Sequence, residues 1–334
     1  MRMEINWLKS EIHPHGLSQL GIENVNDLCL EIYNFAYNHN KEKDIDSDLL
    51  LPPSFWSEMM VQYSRQNKYL IKLTINPSND REYETFKQSI AAQWIQSLIS
   101  KTHSNIESVV YQKCPSKISK PHKYDTYYVL YGTGFISHST AVFHLPLSLS
   151  CGTFCEPNLE MEQRQFEFIR KWFQDLTNNN QTKYTLIAKG REIIPYICEI
   201  HYQFSHLLRS IIAIAPCKRV YKDALYNLQR NVNENIEFEC HYSDHRDHND
   251  MTDFCMKNIS DNKTEIICLI TAGRNGLSLQ FIEWIKSLSN VDRMVYSSCN
   301  QKVTFREMNL FLKGQNGFIL DDYSVLQNAS LNKL

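Results

Sequence analysis

Hydrophobic and polar positions follow two different patterns along this chain, and the change falls near residue 158. In the first part, the alternation typical of half-buried strands occurs over residues 59–63, 69–76, 106–112 and 127–131. A polar turn at 65–67 separates the first two strands, and helical spacing over 25–40 and 82–99 predicts two helices. We expect a small α+β domain here.

Beyond residue 158, buried strand-like segments alternate with helical ones, which is the pattern of parallel βαβ units. The predicted helices cover 163–175, 218–229, 281–288 and 305–312, and the predicted strands cover 184–188, 210–215, 236–240, 265–270 and 293–297. Val220, Ala224 and Leu228 recur at every fourth position and define the buried face of one helix. We expect a doubly wound, Rossmann-type sheet.

Composition narrows the class of protein. The 334 residues suit two ordinary domains or one large one, and 43% hydrophobic with 22% charged residues is a globular composition. No run approaches the length of a membrane span, and the first ten residues lack the apolar stretch of a signal or transit peptide, so we expect a cytoplasmic or nuclear protein. The formal net charge of −2 means that any contact with nucleic acid must come from a local patch.

Ten cysteines without paired CxxC spacing are typical of free thiols in a reducing compartment. A run of metal-ligating residue types does occur between positions 240 and 255: Cys240, His241, Asp244, His245, Asp247, His248, Asp250, Asp253 and Cys255. It lacks the paired spacing of a zinc frame and follows a predicted strand. We therefore interpret it as a polar surface loop and predict no metal site.

Four lysines and no acidic residue lie in a proline-containing segment over 112–123, between two predicted strands. They are Lys113, Lys117, Lys120 and Lys123. Lysines that neutralise phosphates supply affinity for nucleic acid that does not depend on sequence. The same segment also fits a solvated hairpin tip, and both interpretations remain open.

Cys299 is the candidate nucleophile. A short apolar run ends abruptly in Ser297-Ser298-Cys299-Asn300, and ligands of α/β sheets bind at the carboxyl ends of strands. A cysteine at such a place is within reach of a substrate. The alternative is a small buried hydrophobic residue, which is what most intracellular cysteines are.

Four segments taken in order resemble the tRNA (uracil-5-)-methyltransferase family of RNA 5-methyluridine methyltransferases. The segment 149–158 (LSCGTFCEPN) is similar to the family's ISxxAFFQxN motif, and 211–238 is similar to its strand, ribose-binding acid, helix and next strand. The segment 270–277 (ITAGRNGL) resembles DPPRxGL, and 295–300 (VYSSCN) resembles the nucleophile motif YxSCN. The resemblance runs from about residue 149 to residue 300.

The resemblance implies a Rossmann-type S-adenosylmethionine-dependent methyltransferase domain over 149–334. It would be preceded by a small α+β domain over 1–148, a remnant of the family's central RNA-binding domain. The cysteine of such an enzyme adds to C6 of a flipped-out uridine, a role that would fall to Cys299. The implied partner is structured RNA, in the first place tRNA. The implied cofactor-binding positions are Glu156, Gly190, Ala215 and Thr271.

Most of these positions depart from the family's pattern. Gly190, between Lys189 and Arg191, is all that remains of a glycine-rich loop, and we expect the two flanking side chains to occupy the cofactor's approach. Ala215 stands where an acid would hold the ribose, and Glu156 and Thr271 replace a glutamine and an aspartate. Residues 323–334, where the catalytic base would lie, contain no acidic residue.

The four similar segments and the departures from the family's pattern leave three hypotheses for the function. The leading hypothesis is a homologue of the family that binds structured RNA with a weakened or lost cofactor site. The first alternative is an active RNA 5-methyluridine methyltransferase that uses Cys299 and S-adenosylmethionine. The second alternative is a protein-interaction module on a methyltransferase fold, which the near-neutral charge favours, whereas the lysine segment favours RNA.

Overall fold

The computed structural model describes residues 2–6, 55–86, 105–113, 127–151, 153, 159–176, 182–242, 264–273, 276–298, 300–313 and 318–320. These fall into two compact units. The first comprises the described residues up to His138 together with 149–151, and the second comprises Ser139–Ser148 and the described residues from Thr153 onward. In the part of the chain that the structure describes, no helix is long and apolar enough to cross a membrane.

The first unit contains a five-stranded sheet in the order β1-β2-β3-β4-β5. Its strands are β1 (Arg2–Asn6), β2 (Trp56–Tyr63), β3 (Tyr69–Ile75), β4 (Ile106–Lys113) and β5 (Tyr128–Gly132). Strands β3 and β4 run parallel, and the other neighbours run antiparallel. The four strands predicted from the alternation are confirmed, as is the turn between the first two, where Asn67 adopts a φ of 56°.

Helix α1 (Asp80–Thr85) begins two residues before the predicted start. The side chain of Asn79 accepts a hydrogen bond from the backbone amide of Glu82 at 2.9 Å, which satisfies one of the open amides of the first turn. The remainder of the helix predicted to residue 99, and the whole of that predicted over 25–40, lie outside the described residues.

Three short strands were not predicted. One is β1, and the other two are β6 (Phe135–Ser139) and β7 (Pro146–Ser150), which form a separate two-stranded sheet. Each of the three has only five residues, so the contrast between apolar and polar positions is too weak to predict a strand.

The second unit is built on a parallel sheet in the order β10-β9-β8-β11-β12. Its strands are β8 (Tyr184–Gly190), β9 (Leu208–Ala215), β10 (Glu237–Tyr242), β11 (Glu265–Ala272) and β12 (Val291–Ser298). Its helices are α2 (Leu159–Leu176), α3 (Ile193–Phe204), α4 (Lys218–Asn231), α5 (Leu279–Ser287) and α6 (Gln301–Leu312). This is the strand order of a Rossmann-type fold, so the predicted fold class is confirmed.

The chain changes direction across the sheet between β8 and β11, and this reversal determines where the helices lie. Parallel strands are joined by right-handed crossovers, so helices that lead in opposite directions cover opposite faces. Helices α3 and α4 pack against each other and against β8 and β9. The other face buries Ile187, Ile214 and Ile270 against Phe281 of α5 and Phe311 of α6.

Helix α3 was missed because it has no polar face. Nine of its twelve residues are buried, including Glu199 and His201, so the sequence shows no helical alternation of apolar and polar positions. Pro195 is tolerated because it lies in the first turn, where its missing amide proton has no partner to lose.

Candidate functional site

The candidate site lies at the carboxyl ends of β8 and β11, where the strand order reverses and where ligands of such sheets bind. Gly190 of β8 pairs with Thr271 of β11, and Thr271 pairs in turn with Ser297 of β12. The sheet therefore brings two of the predicted cofactor positions, Gly190 and Thr271, side by side at this edge.

Gly190 is a glycine because Thr271 approaches it closely. Its φ is 146°, and a Cβ atom added to it would lie 1.8 Å from the Oγ1 atom of Thr271 and 2.4 Å from that residue's carbonyl oxygen. The Oγ1 atom is itself buried and has no hydrogen-bond partner among the described residues. The space that a glycine leaves open is filled by the neighbouring strand, so it is not a cradle for a ligand.

The connection from β8 to α3 is too short for a glycine-rich loop. Strand β8 ends at Gly190 and helix α3 begins at Ile193, which leaves only Arg191 and Glu192 between them. Ile193 and Ile194 are buried at once, at 0% and 1% exposure. A loop that wraps a nucleotide needs several consecutive small residues with open amides, and this connection lacks them.

The carboxyl end of β9 carries no acid. Ala215 is completely buried, and it is followed by a buried proline and by Cys217 at the N-cap of α4, whose side chain makes no capping hydrogen bond. The first acid after the strand is Asp223, one turn further along the helix, and its carboxylate accepts a hydrogen bond from the hydroxyl of Thr153. Residues 208–222, the described segment around this strand end, therefore supply no carboxylate to a ribose hydroxyl.

Lys189 does not occupy the cofactor's approach, contrary to the prediction. Its side chain is 6% exposed, and its ammonium lies 4.7 Å from the centre of the Phe281 ring on helix α5. A lysine can be buried in this way when its charge is attracted to the face of an aromatic ring. Arg191 is exposed, as expected for a residue in the connection.

A buried carboxylate holds the loop that follows β11, and sequence reasoning missed it. Glu307 of α6 is 0% exposed and accepts hydrogen bonds from the Leu277 amide at 2.7 Å, the Tyr296 hydroxyl at 2.6 Å and the Arg306 guanidinium at 2.7 Å. Burial and the hydrogen bond to Glu307 raise the pKa of Tyr296 above its usual value, so the hydroxyl stays protonated and donates. We call this arrangement the Glu307 latch.

Gly276 is part of the same latch. Its φ is 78°, and a Cβ atom added to it would lie 1.9 Å from the Oε1 atom of Glu307. The loop therefore approaches the carboxylate more closely than any other residue would allow. The sequence did contain a signal: Val303, Glu307 and Phe311 recur at every fourth position on one helix face, which puts an acid between two buried apolar residues.

A stripe of polar side chains on α4 binds strand β7. Asn227, which is completely buried, exchanges two hydrogen bonds with Ser148: its Oδ1 accepts from the Ser148 amide at 2.8 Å, and its Nδ2 donates to the Ser148 carbonyl at 2.8 Å. One turn later, Asn231 donates to the carbonyl of Pro146 at 3.1 Å. The helix thus satisfies the backbone of β7 as another strand would, and this use of amides at every fourth position was also missed.

Several predicted site residues lie outside the described residues, namely Cys299, Glu156, Lys117, Lys120 and Lys123. Strand β12 ends at Ser298, and the side chain of Asn300 caps α6 by accepting from the Lys302 amide at 3.2 Å. Position 299 therefore falls between the end of a strand and the start of a helix, and its role stays a prediction. Of the lysine segment, Lys113 is described and exposed at the end of β4.

The run of metal-ligating residue types is described only at Cys240 and His241 of β10. Burial raises the pKa of the Cys240 thiol to about 12, and its Sγ atom lies 3.8 Å from the carbonyl oxygen of Tyr221. Within the described ranges, no group of three or more metal-ligating residues comes together. The remainder of the run lies outside them.

Comparison with known proteins adds little to this picture. No protein-family model and no curated protein matches the chain. One solved structure, "a putative sam-dependent methyltransferase from Streptococcus mutans", matches with 12% identity and a TM-score of 0.38 over 86% of this chain and 73% of that one. Another, SMU.776, "a putative methyltransferase complexed with SAH", matches with 11% identity and a TM-score of 0.37 over 73% of this chain and 60% of that one.

The Rossmann-type classification follows from the parallel strand order and from the reversal between β8 and β11. This is the class of fold on which S-adenosylmethionine-dependent methyltransferases are built, and the same fold supports many other activities.

Proposed function

We propose that this chain is a diverged homologue of the RNA 5-methyluridine methyltransferases that binds structured RNA and has lost tight binding of S-adenosylmethionine. The observation that carries the proposal is the carboxyl end of β9, where the completely buried Ala215 stands in the place of an acid and residues 208–222 contain no carboxylate. Beside it, the connection from β8 to α3 has two residues, and its glycine is packed against Thr271. The residues present do not fit the cofactor.

The expected loss of affinity is large. A hydrogen bond to a charged acceptor contributes about 1.5–3 kcal/mol, and a ribose offers two hydroxyls to such an acid. Without the acid, a site of micromolar affinity would weaken by about 100-fold or more. The shortened connection after β8 removes backbone amide contacts in addition.

The RNA-binding part of the proposal is supported by the lysine segment. Lys113 is exposed at the end of β4, and the sequence that follows adds three lysines and no acid before residue 124. Because the chain as a whole has a net charge of −2, its affinity for RNA would come from this local concentration of charge.

Two titrations of the full chain test the proposal. Isothermal calorimetry with S-adenosylmethionine and with S-adenosylhomocysteine should give no saturable heat at micromolar concentrations of ligand. Fluorescence anisotropy with labelled tRNA should show binding that weakens steeply as salt is raised. Micromolar affinity for either cofactor form would contradict the first half of the proposal, and an absence of RNA binding at low salt would contradict the second half.

The second candidate is an active methyltransferase that uses Cys299. The observation that favours it is the position of residue 299 immediately before the N-cap of α6, because the amino end of a helix stabilises a thiolate. Incubation with S-adenosylmethionine and tRNA containing 5-fluorouridine would then trap a covalent adduct that is visible on a denaturing gel. We expect no adduct. An adduct that disappears in a Cys299→Ala variant would favour this candidate over the first.

A further inference from the structure

An exposed tyrosine stands at the edge of the first unit's sheet with another tyrosine stacked behind it. Tyr128 of β5 and Tyr111 of β4 are cross-strand partners, and their rings stack with 5.0 Å between centroids and 21° between planes. Tyr111 is 3% exposed, whereas Tyr128 is 45% exposed. Among the described strands, β5 ends the order of the sheet, so the outer ring lies at the edge of this part of the sheet.

The inner ring is held firmly. The edge of Phe86 packs against Tyr111, with 5.4 Å between the two ring centroids, and the hydroxyls of Tyr111 and Tyr83 lie 2.8 Å apart in a hydrogen bond. A ring fixed on one side by buried neighbours gives Tyr128 a defined orientation before any partner arrives. This matters for affinity, because a pre-ordered side chain loses little conformational entropy on binding.

Positive charge lies beside these rings. Lys113 follows Tyr111 by two residues on β4. Its ammonium lies 4.5 Å from the centre of the Tyr83 ring and 3.8 Å from the carboxylate of the fully solvated Asp80. At such an exposed carboxylate the ion pair is weak, so Lys113 remains able to contact another anion.

The sequence around β5 combines basic side chains with aromatic rings. Residues 113–135 contain four lysines against a single acid, Asp125. The same stretch contains five aromatic residues: Tyr124, Tyr127, Tyr128, Tyr131 and Phe135. Protein–protein interfaces are depleted in lysine, whereas flat rings beside lysines match the bases and phosphates of single-stranded nucleic acid.

We propose that Tyr128, supported by Tyr111, is a stacking platform for an unpaired RNA base, and that Lys113, whose ammonium lies over the neighbouring Tyr83 ring, contacts the backbone phosphate. This rests on the proposed RNA-binding function and adds the class of RNA that the site takes, namely a single-stranded loop or end. Duplex RNA would not use the platform, because its bases are already stacked within the helix.

Anisotropy titrations with a labelled single-stranded RNA of about ten nucleotides and with a duplex of the same sequence test the proposal. Tyr128→Ala should weaken binding of the single strand by about 5- to 100-fold, the range for loss of one base–aromatic stack. Tyr128→Phe, which keeps the ring, should bind as the unmodified chain does. Binding of the duplex should not change in either variant.

Tyr226→Ala is the matched control. Tyr226 is also a tyrosine with 45% exposure, and the guanidinium of Arg230 lies 5.2 Å from its ring, but it is on helix α4 of the second unit. Its replacement should leave single-strand binding unchanged. An equal loss in this variant would overturn the platform, because it would show that any exposed tyrosine has the same effect.

A second readout reports stacking directly. An RNA strand that carries 2-aminopurine should lose fluorescence on binding to the unmodified chain and to Tyr128→Phe, but not on binding to Tyr128→Leu, which keeps apolar volume without a ring. If the unmodified chain binds the strand but Tyr128→Leu quenches it equally, the platform is wrong and the proposed function stands. If the unmodified chain binds no RNA, both are wrong.

Discussion

Replacing Glu307 with alanine should destabilise the second unit strongly. The substitution removes the acceptor for three donors, the Leu277 amide, the Tyr296 hydroxyl and the Arg306 guanidinium. The side chain of Arg306 is 55% exposed and can turn to water, so its loss counts for little. The other two donors would be left without a partner at about 1–3 kcal/mol each.

The expected cost is therefore about 3–5 kcal/mol, which is the range for removing one partner from a buried charged network. Glu307→Gln should cost less, because an amide oxygen can still accept from Leu277 and the amide nitrogen can donate to the Tyr296 hydroxyl, which also accepts. A Glu307→Ala and Tyr296→Phe double-mutant cycle should show coupling of about 1–3 kcal/mol, since the two groups share a hydrogen bond at 2.6 Å.

Urea unfolding followed by circular dichroism measures these changes. Glu283→Ala is the matched control, because Glu283 is an exposed glutamate on helix α5 of the same unit and should shift stability by about 0.5 kcal/mol or less. A loss below about 1 kcal/mol for Glu307→Ala, or additive effects in the cycle, would refute the description of Glu307 as the centre of the latch.

Three further substitutions have expected outcomes, two in described residues and one in the lysine segment. Burial lowers the pKa of His138 to about 4, so the folded state binds this proton less tightly than the unfolded state. The free energy of unfolding should therefore fall by about 2 kcal/mol from pH 7.5 to pH 5. In urea unfolding, His138→Phe should lack this pH dependence, while a variant of the exposed His206 should keep it. Gly190→Ala should cost at least about 2 kcal/mol in the same assay because of the contact with Thr271, whereas Gly273→Ala, whose Cβ would meet nothing within 4 Å, should be tolerated. The salt dependence of tRNA binding should flatten when all four lysines of the segment are replaced with alanine, namely Lys113, Lys117, Lys120 and Lys123. An unchanged slope would mean that the segment is only a solvated hairpin tip.

Those parts of the fold that bury one side of an element were predictable from the sequence. Val220, Ala224 and Leu228 are buried at 2%, 0% and 0%, because the helix that carries them has one face on the sheet and one in solvent. The strands of the parallel sheet were predictable for a related reason, since short apolar runs between helices have few other uses in an α/β protein.

Elements without such contrast were not predictable. Helix α3 is buried at nine of its twelve positions, and its polar residues do not collect on one face, so no periodicity separates it from a coil or a strand. The polar residues that organise the second unit were missed for the opposite reason. Glu307 and Asn227 are residue types that usually face solvent, and the fold shows which backbone and side-chain donors and acceptors each of them meets where it is completely buried.

Gly190 of the candidate site has a different role in the structure from the one that the sequence suggested. From the sequence, we interpreted Gly190 as the last residue of a glycine-rich cofactor loop, because a glycine lets a ligand approach the backbone closely. In the fold, the approaching group is Thr271, and the contact is one between neighbouring strands. Gly190 would be required at this position with or without a cofactor, so its presence is not evidence that a cofactor binds. Binding depends instead on the end of β9, where the buried side chain of Ala215 offers a ribose no acceptor.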